Sequence, residues 1–171
     1  MRYSRAPLLA VPFLAMTACS MGLRPAEVVG GSTLSSVRKG DTGPTVVFEA
    51  GIGDNLSSWA PVFDDVASFA RAFAYSRSGY AGGAPWALGH PSRTADDIAR
   101  DAHELFRKTG LGRPMILVGH SMGGMYVLRY AELYPEDVAG VVLFDGRLKG
   151  FTEECEEAGL SPCSPPIAAQ L

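Results

Sequence analysis

The sequence predicts an α/β fold with a mostly parallel sheet and flanking helices, and three observations carry that expectation. Short unbroken apolar runs of strand length stand at Thr45–Phe48, Ala72–Tyr75, Met115–Val118 and Val141–Phe144. Between them lie stretches whose apolar residues recur every three or four positions, the period of a helix packed on one side. At the junction between the third run and the next helical stretch stands Gly119-His120-Ser121-Met122-Gly123-Gly124, a small-residue turn with a serine at its tip. Alternating strand and helix implies right-handed crossovers and a common direction for the strands. Ligands of such sheets bind beyond the strands' carboxyl ends. With 171 residues, 47% of them hydrophobic, the chain can bury one core. Its net charge of −3 gives no sign of a nucleic-acid partner.

Taken in order, the chain opens on the basic segment Met1–Arg5, followed by an apolar stretch from Ala6 to Met16 and then Thr17-Ala18-Cys19. That is a signal-peptide pattern, and the apolar stretch is too short to span a membrane. We therefore divide the sequence into a signal (1–18), a linker with one or more first strands, around Leu34–Arg38 (19–43), a core (44–147) and a last segment that is a tail or the start of a cap over the core (148–171). The core begins with the strand Thr45–Glu49, which runs into Ala50-Gly51-Ile52-Gly53-Asp54. Gly51 and Gly53 suit either a plain strand-ending turn or a loop whose backbone closely approaches a ligand. Trp59, Val62, Phe63, Val66 and Phe69 define a helix that Asn55 or Ser57/Ser58 could cap, with Pro61 tolerated in its first turn. Ala72–Ser76 is a strand ending in the turn Arg77-Ser78-Gly79-Tyr80. Thr94 caps a helix whose face is Ile98, Ala102, Leu105 and Phe106 and which ends near Gly110. Pro114–Val118 reads as a strand buried on both faces. Met122, Met125, Tyr126, Leu128 and Leu133 mark the helix after the serine, stopped at Tyr134-Pro135. Val138–Phe144 is a further buried-type strand, closing on Asp145-Gly146.

A serine on a tight strand-to-helix turn is a candidate nucleophile. Glycines two residues either side relieve crowding between strand and helix, and the helix N-terminus aims free N–H groups where an oxyanion would form. Its base is the difficulty. The chain's three histidines, His90, His103 and His120, all precede Ser121. His120 adjoins the serine, and its ring is expected to pack beside the strand. His103 falls mid-helix in a structural role, and His90 lies in a Gly/Pro-rich loop at the correct edge of the sheet, where a substitute base is geometrically conceivable.

Across residues 44 to 147 these motifs resemble the α/β-hydrolase superfamily. The resemblance implies an α/β-hydrolase fold that is incomplete here, with the last strands and most of the cap missing. It makes Ser121 the nucleophile and the N–H groups of Ile52 and Met122 the oxyanion donors. Asp145 takes the position where some relatives carry the triad acid, with a turn-forming Asp-Gly as the alternative. The triad order Ser, acid, His then puts the base histidine outside this sequence. The implied substrates are small-molecule esters, thioesters or amides, with no cofactor and no metal; the alternative is an inactive hydrolase-like or binding protein.

The N-terminus resembles a bacterial lipoprotein signal, with Met16 where leucine is commoner. Cleavage before Cys19 would leave a lipid-anchored protein on the periplasmic or cell-surface side of a membrane, an ordinary secretory signal being the alternative. In an oxidising compartment Cys155 and Cys163 are spaced for a disulfide closing a small loop, though two free thiols stay open.

Overall fold

The computed structural model describes residues 27–29, 32–80, 93–147 and 150–159. The signal segment, Cys19, His90 and Cys163 lie outside the described residues. Elements follow in chain order: β1 (Glu27–Val29), β2 (Ser32–Lys39), β3 (Thr45–Glu49), α1 (Ala60–Ala67), β4 (Arg71–Ser76), α2 (Ala95–Lys108), β5 (Met115–His120), α3 (Met122–Leu133), β6 (Val138–Phe144) and α4 (Phe151–Glu157). Single 3-10 turns at Leu56–Trp59 and Pro135–Asp137 lead into α1 and β6.

The apolar runs pair in the order β1-β2-β4-β3-β5-β6. Strands β4, β3, β5 and β6 are parallel neighbours, while β2 joins β4, and β1 joins β2, antiparallel. This is the expected mostly parallel sheet with flanking helices. One face carries α2 and α3, which bury Leu105, Phe106, Val127 and Tyr130 against Phe73, Tyr75, Met115 and Leu117. The other face carries the 3-10 turn and α1, where Trp59 and Phe63 meet Phe48 at ring separations of 4.9 and 5.9 Å. Core strand β3 is buried throughout, as both faces are covered.

Helix starts follow local chemistry. Asn55 accepts a hydrogen bond from the Ser57 N–H at 2.8 Å and so opens the 3-10 turn, and Pro61 sits in the first turn of α1. Thr94 and Asp97 form a reciprocal capping box on α2, and the chain leaves that helix through Gly110 at φ +63°.

Three expectations about faces need correction. Along the 3-10 turn and α1, Trp59, Phe63 and Val66 pack inward, but Val62 is 44% and Phe69 62% exposed, because α1 ends at Ala67 and Val62 lies off the inward stripe. In α3 the buried positions are Gly123, Gly124, Val127 and Tyr130; the face named by Met122, Met125, Tyr126 and Leu128 is only half-buried. Two adjacent glycines bring that helix's backbone onto the sheet, so its small residues face inward. Strand β6 has the expected bounds but is no buried strand: Val142, Leu143 and Phe144 are 50%, 39% and 64% exposed at the end of the sheet order. Beyond the core, Cys155 on α4 is buried and disulfide-bonded. Among the described residues no helix is long and apolar enough to cross a membrane.

Candidate functional site

Ser121 is the single residue between β5 and α3, with φ +50° and ψ −123°. A non-glycine backbone there costs of order 1–3 kcal/mol and persists only where the surroundings fix it. They do so through β6. The Ser121 N–H donates to the carbonyls of Phe144 and Asp145 at 3.3 and 3.2 Å, and its carbonyl accepts from the N–H groups of Gly124 and Arg147 at 2.9 and 2.8 Å. The flanking glycines are sterically required. A Cβ on Gly119 would stand 2.6 Å from the Gly123 carbonyl oxygen, and one on Gly123 would stand 2.5 and 2.6 Å from the Glu49 and Ala50 oxygens.

The register between β3 and β5, with Glu49 opposite Gly119, brings the end of β3 beside this turn. A Cβ on Gly51 would lie 3.2 Å from both the Ser121 Cβ and His120 Nδ1, and 3.3 Å from Asp54 Oδ2. Gly51 therefore marks the point where serine, imidazole and carboxylate converge. Ile52 follows it, half-buried. Met122 is the first residue of α3, so helix geometry leaves its N–H without an intrahelical acceptor, at the positive end of the helix dipole.

Beneath the Ala50–Ile52 loop lies a buried polar cluster that the sequence reading missed. Glu49, 2% exposed, receives hydrogen bonds from the Tyr75 hydroxyl and the Arg77 guanidinium. Arg77 also donates to the carbonyls of Ala50 and Gly51, each at 2.5 Å, and lies over the rings of Tyr80 and Tyr126 at 4.8 and 5.2 Å. Burial raises the Glu49 carboxyl above its ordinary value, with Arg77 and Tyr75 opposing it. Burial works against the Arg77 charge as well, but the Glu49 carboxylate overcomes it and keeps the guanidinium protonated. In the sequence the cluster shows only as separate pieces, a glutamate closing an otherwise apolar strand and an arginine opening the turn after Ala72–Ser76, with nothing to say that they meet. Ser76 is settled differently: its hydroxyl accepts the Leu56 N–H at 3.2 Å.

The described imidazoles have other partners. His120 Nδ1 lies 3.7 Å from Asp54 Oδ2, and its ring packs edge-on against Trp59 and beside Phe144. His103, on α2, stacks on Tyr134 at 3.9 Å and faces Tyr130 and Asp137. Asp145 is exposed at φ +46°, tied to the serine turn through its backbone carbonyl. Ser121, Ile52 and Met122 are thus brought together; Asp145 joins them only through the main chain. Among the described residues no cluster of three His, Cys, Asp or Glu side chains is arranged to hold a metal.

A family model for the alpha/beta hydrolase fold matches residues 44–169. Among curated proteins, the chain is 32% identical over 111 residues to the uncharacterized protein YqjL of Bacillus subtilis, covering 65% of this chain and 43% of that protein. It is 44% identical over 61 residues to a homoserine O-succinyltransferase of Magnetococcus marinus, covering 36% and 16%. Among solved structures, the esterase RhEst1 of Rhodococcus sp. ECU1013 superposes with a TM-score of 0.63 at 25% identity, over 77% of this chain and 50% of that one. The chain spans half or less of the length of each of these proteins.

Proposed function

The chain belongs to the α/β-hydrolase-fold family, and from that premise we propose that it carries the nucleophile half of a serine hydrolase acting on small-molecule esters, thioesters or amides. The observation that carries this reading is Ser121 at positive φ on a strand-to-helix turn, pressed against the Gly51–Ile52 loop. That placement supports a nucleophilic hydroxyl at a helix N-terminus, with the Ile52 and Met122 N–H groups as the donors of the proposed oxyanion hole.

In the proposed cycle Ser121 Oγ attacks the acyl carbon while its proton passes to an imidazole. The carbonyl's π electrons move onto its oxygen, which the Ile52 and Met122 N–H groups hold. Collapse of the tetrahedral adduct re-forms the carbonyl and expels the alcohol, thiol or amine, which takes the proton from the imidazole. Water then repeats the sequence on the acyl-serine and releases the acid. A second acceptor alcohol in place of water would make the same site an acyltransferase, and the likeness to a homoserine O-succinyltransferase supports that variant. The imidazole is a histidine outside the described residues, since the contacts of His103 and His120 run elsewhere. The same observation favours the one competing reading, a binding protein that keeps the turn without the chemistry.

A fluorophosphonate probe separates the two. Labelling at Ser121, abolished in Ser121→Ala, is expected wherever the base histidine is present. A protein that is folded by circular dichroism and carries that histidine, yet stays unlabelled, overturns the nucleophile assignment. Loss of labelling in His90→Ala as well identifies His90 as the base.

A further inference from the structure

We propose that Arg77 is the positioning residue of the oxyanion hole: its guanidinium, anchored by Glu49, fixes the Gly51–Ile52 peptide and strengthens the N–H at that peptide's far end. The kinetic part of this inference rests on Ser121 being the nucleophile; the geometric part does not.

The argument turns on which carbonyl Arg77 meets. Its Nη2 donates to the Gly51 carbonyl oxygen at 2.5 Å. That oxygen and the Ile52 N–H belong to one planar peptide group, so a bond that fixes the oxygen fixes the opposite direction in which the N–H points. Nη1 donates to the Ala50 carbonyl, also at 2.5 Å, and so holds the preceding peptide too. Two adjacent peptides are clamped by one rigid fork, which a lysine ammonium on a flexible stem cannot reproduce. The same bond has an electronic effect. A cationic donor on a carbonyl draws electron density through the amide and makes its N–H a better donor, the cooperative strengthening of hydrogen-bond chains in a low-dielectric interior.

Glu49 completes the device. It stands at the end of β3, one residue before the loop, and binds both Arg77 and the Tyr75 hydroxyl. The rings of Tyr80 and Tyr126 pack against the guanidinium. An arginine serving only to neutralise a buried glutamate would spend its donors on that carboxylate. Here two of its hydrogen bonds go to the backbone of the loop that faces Ser121.

The test is Arg77→Lys in the full 171-residue chain, read in two ways. In nuclear magnetic resonance, the Gly51 carbonyl carbon and the Ile52 amide nitrogen are expected to move upfield as the clamp is lost. In kinetics, phosphonylation of Ser121 by a fluorophosphonate, whose phosphoryl oxygen takes the oxyanion position, is expected to slow by roughly 10- to 100-fold, approaching the effect of deleting a donor. A merely structural role would lower stability yet leave the labelling rate of the folded fraction unchanged. If Arg77→Lys does not fold, the double substitution Glu49→Leu/Arg77→Met removes both buried charges together and is read identically. Unmoved Ile52 and Gly51 resonances overturn the proposal, as does an unchanged labelling rate relative to a wild type that labels. If the wild type does not label, for want of a base or of a nucleophile, the resonances alone decide the role of Arg77.

Discussion

The geometry around Ser121 is set by atoms that are missing, the β-carbons of its glycines. Gly123 lies where the end of β3 and the start of α3 touch, and a methyl there would meet two backbone carbonyl oxygens at 2.5 and 2.6 Å. Main-chain atoms cannot rotate away as a side chain can, so Gly123→Ala must push α3 from β3 or displace the Ala50–Ile52 loop. Overpacking of this kind costs about 2–3 kcal/mol. Urea unfolding is expected to register that loss, and labelling of Ser121 in the folded fraction to slow; unchanged values in both would show that the contact is soft. This constraint was legible in the sequence because it is local: the glycines stand two residues either side of the serine. The Glu49–Arg77 pair was not, since 28 residues separate the partners and only the register of β3 against β4 makes them neighbours. A glutamate at a strand's end reads as a boundary until the arginine behind it is seen.

Helix α2 shows how far an isolated element can be read. Thr94, the apolar face and the exit glycine were all visible, and the structure adds only the reciprocal bond from Asp97. The Thr94 N–H and hydroxyl both donate to the Asp97 carboxylate, and these bonds, the backbone one first, hold it below its ordinary value. A carboxyl depressed in the folded state contributes stability above its unfolded value, near 4, and loses it as the pH falls through the folded one. Thr94→Ala removes the N-cap acceptor of the Asp97 N–H and is expected to cost about 1 kcal/mol at neutral pH. The gap between variant and wild type should narrow on acidification below about pH 4, where protonated Asp97 accepts poorly. Urea titrations at neutral and acid pH test this, and a difference independent of pH would rule out the carboxylate's part. Helix α3 was harder to read, because hydrophobicity points to its methionines and leucines while packing selects Gly123, Gly124, Val127 and Tyr130. Close approach rewards small volume, which no scale of apolar character records.

Across the whole sheet, strand extents were legible from apolar runs, but coverage was not, because burial depends on what packs over each strand. The face bearing α1 is filled over β3 and β4, whereas further along it Val118 pairs with Val142 and His120 with Phe144 near the open end. Val142 and Phe144 alternate onto that same face, and both are at least half exposed, with Leu143 39% exposed on the opposite side. Among the described residues β6 ends the sheet, and a strand edge beside aromatic or β-branched side chains on an open face is a template for another strand. Net charge is only −3 over 171 residues, too small to keep copies apart. The chain is accordingly expected to associate in a concentration-dependent way, seen as a rising weight-average sedimentation coefficient. Val142→Lys with Phe144→Lys puts two like charges on the stripe, and like charges opposed across a strand pair disfavour pairing. The hydrogen bond from the Ser121 N–H to residue 144 runs to the main-chain carbonyl, so the serine turn keeps this anchor in the double variant. Monomeric sedimentation of the lysine variant beside an associating wild type would locate the contact on β6. Equal association of both would place it elsewhere, the exposed Val62 and Phe69 near α1 being the next surface to charge.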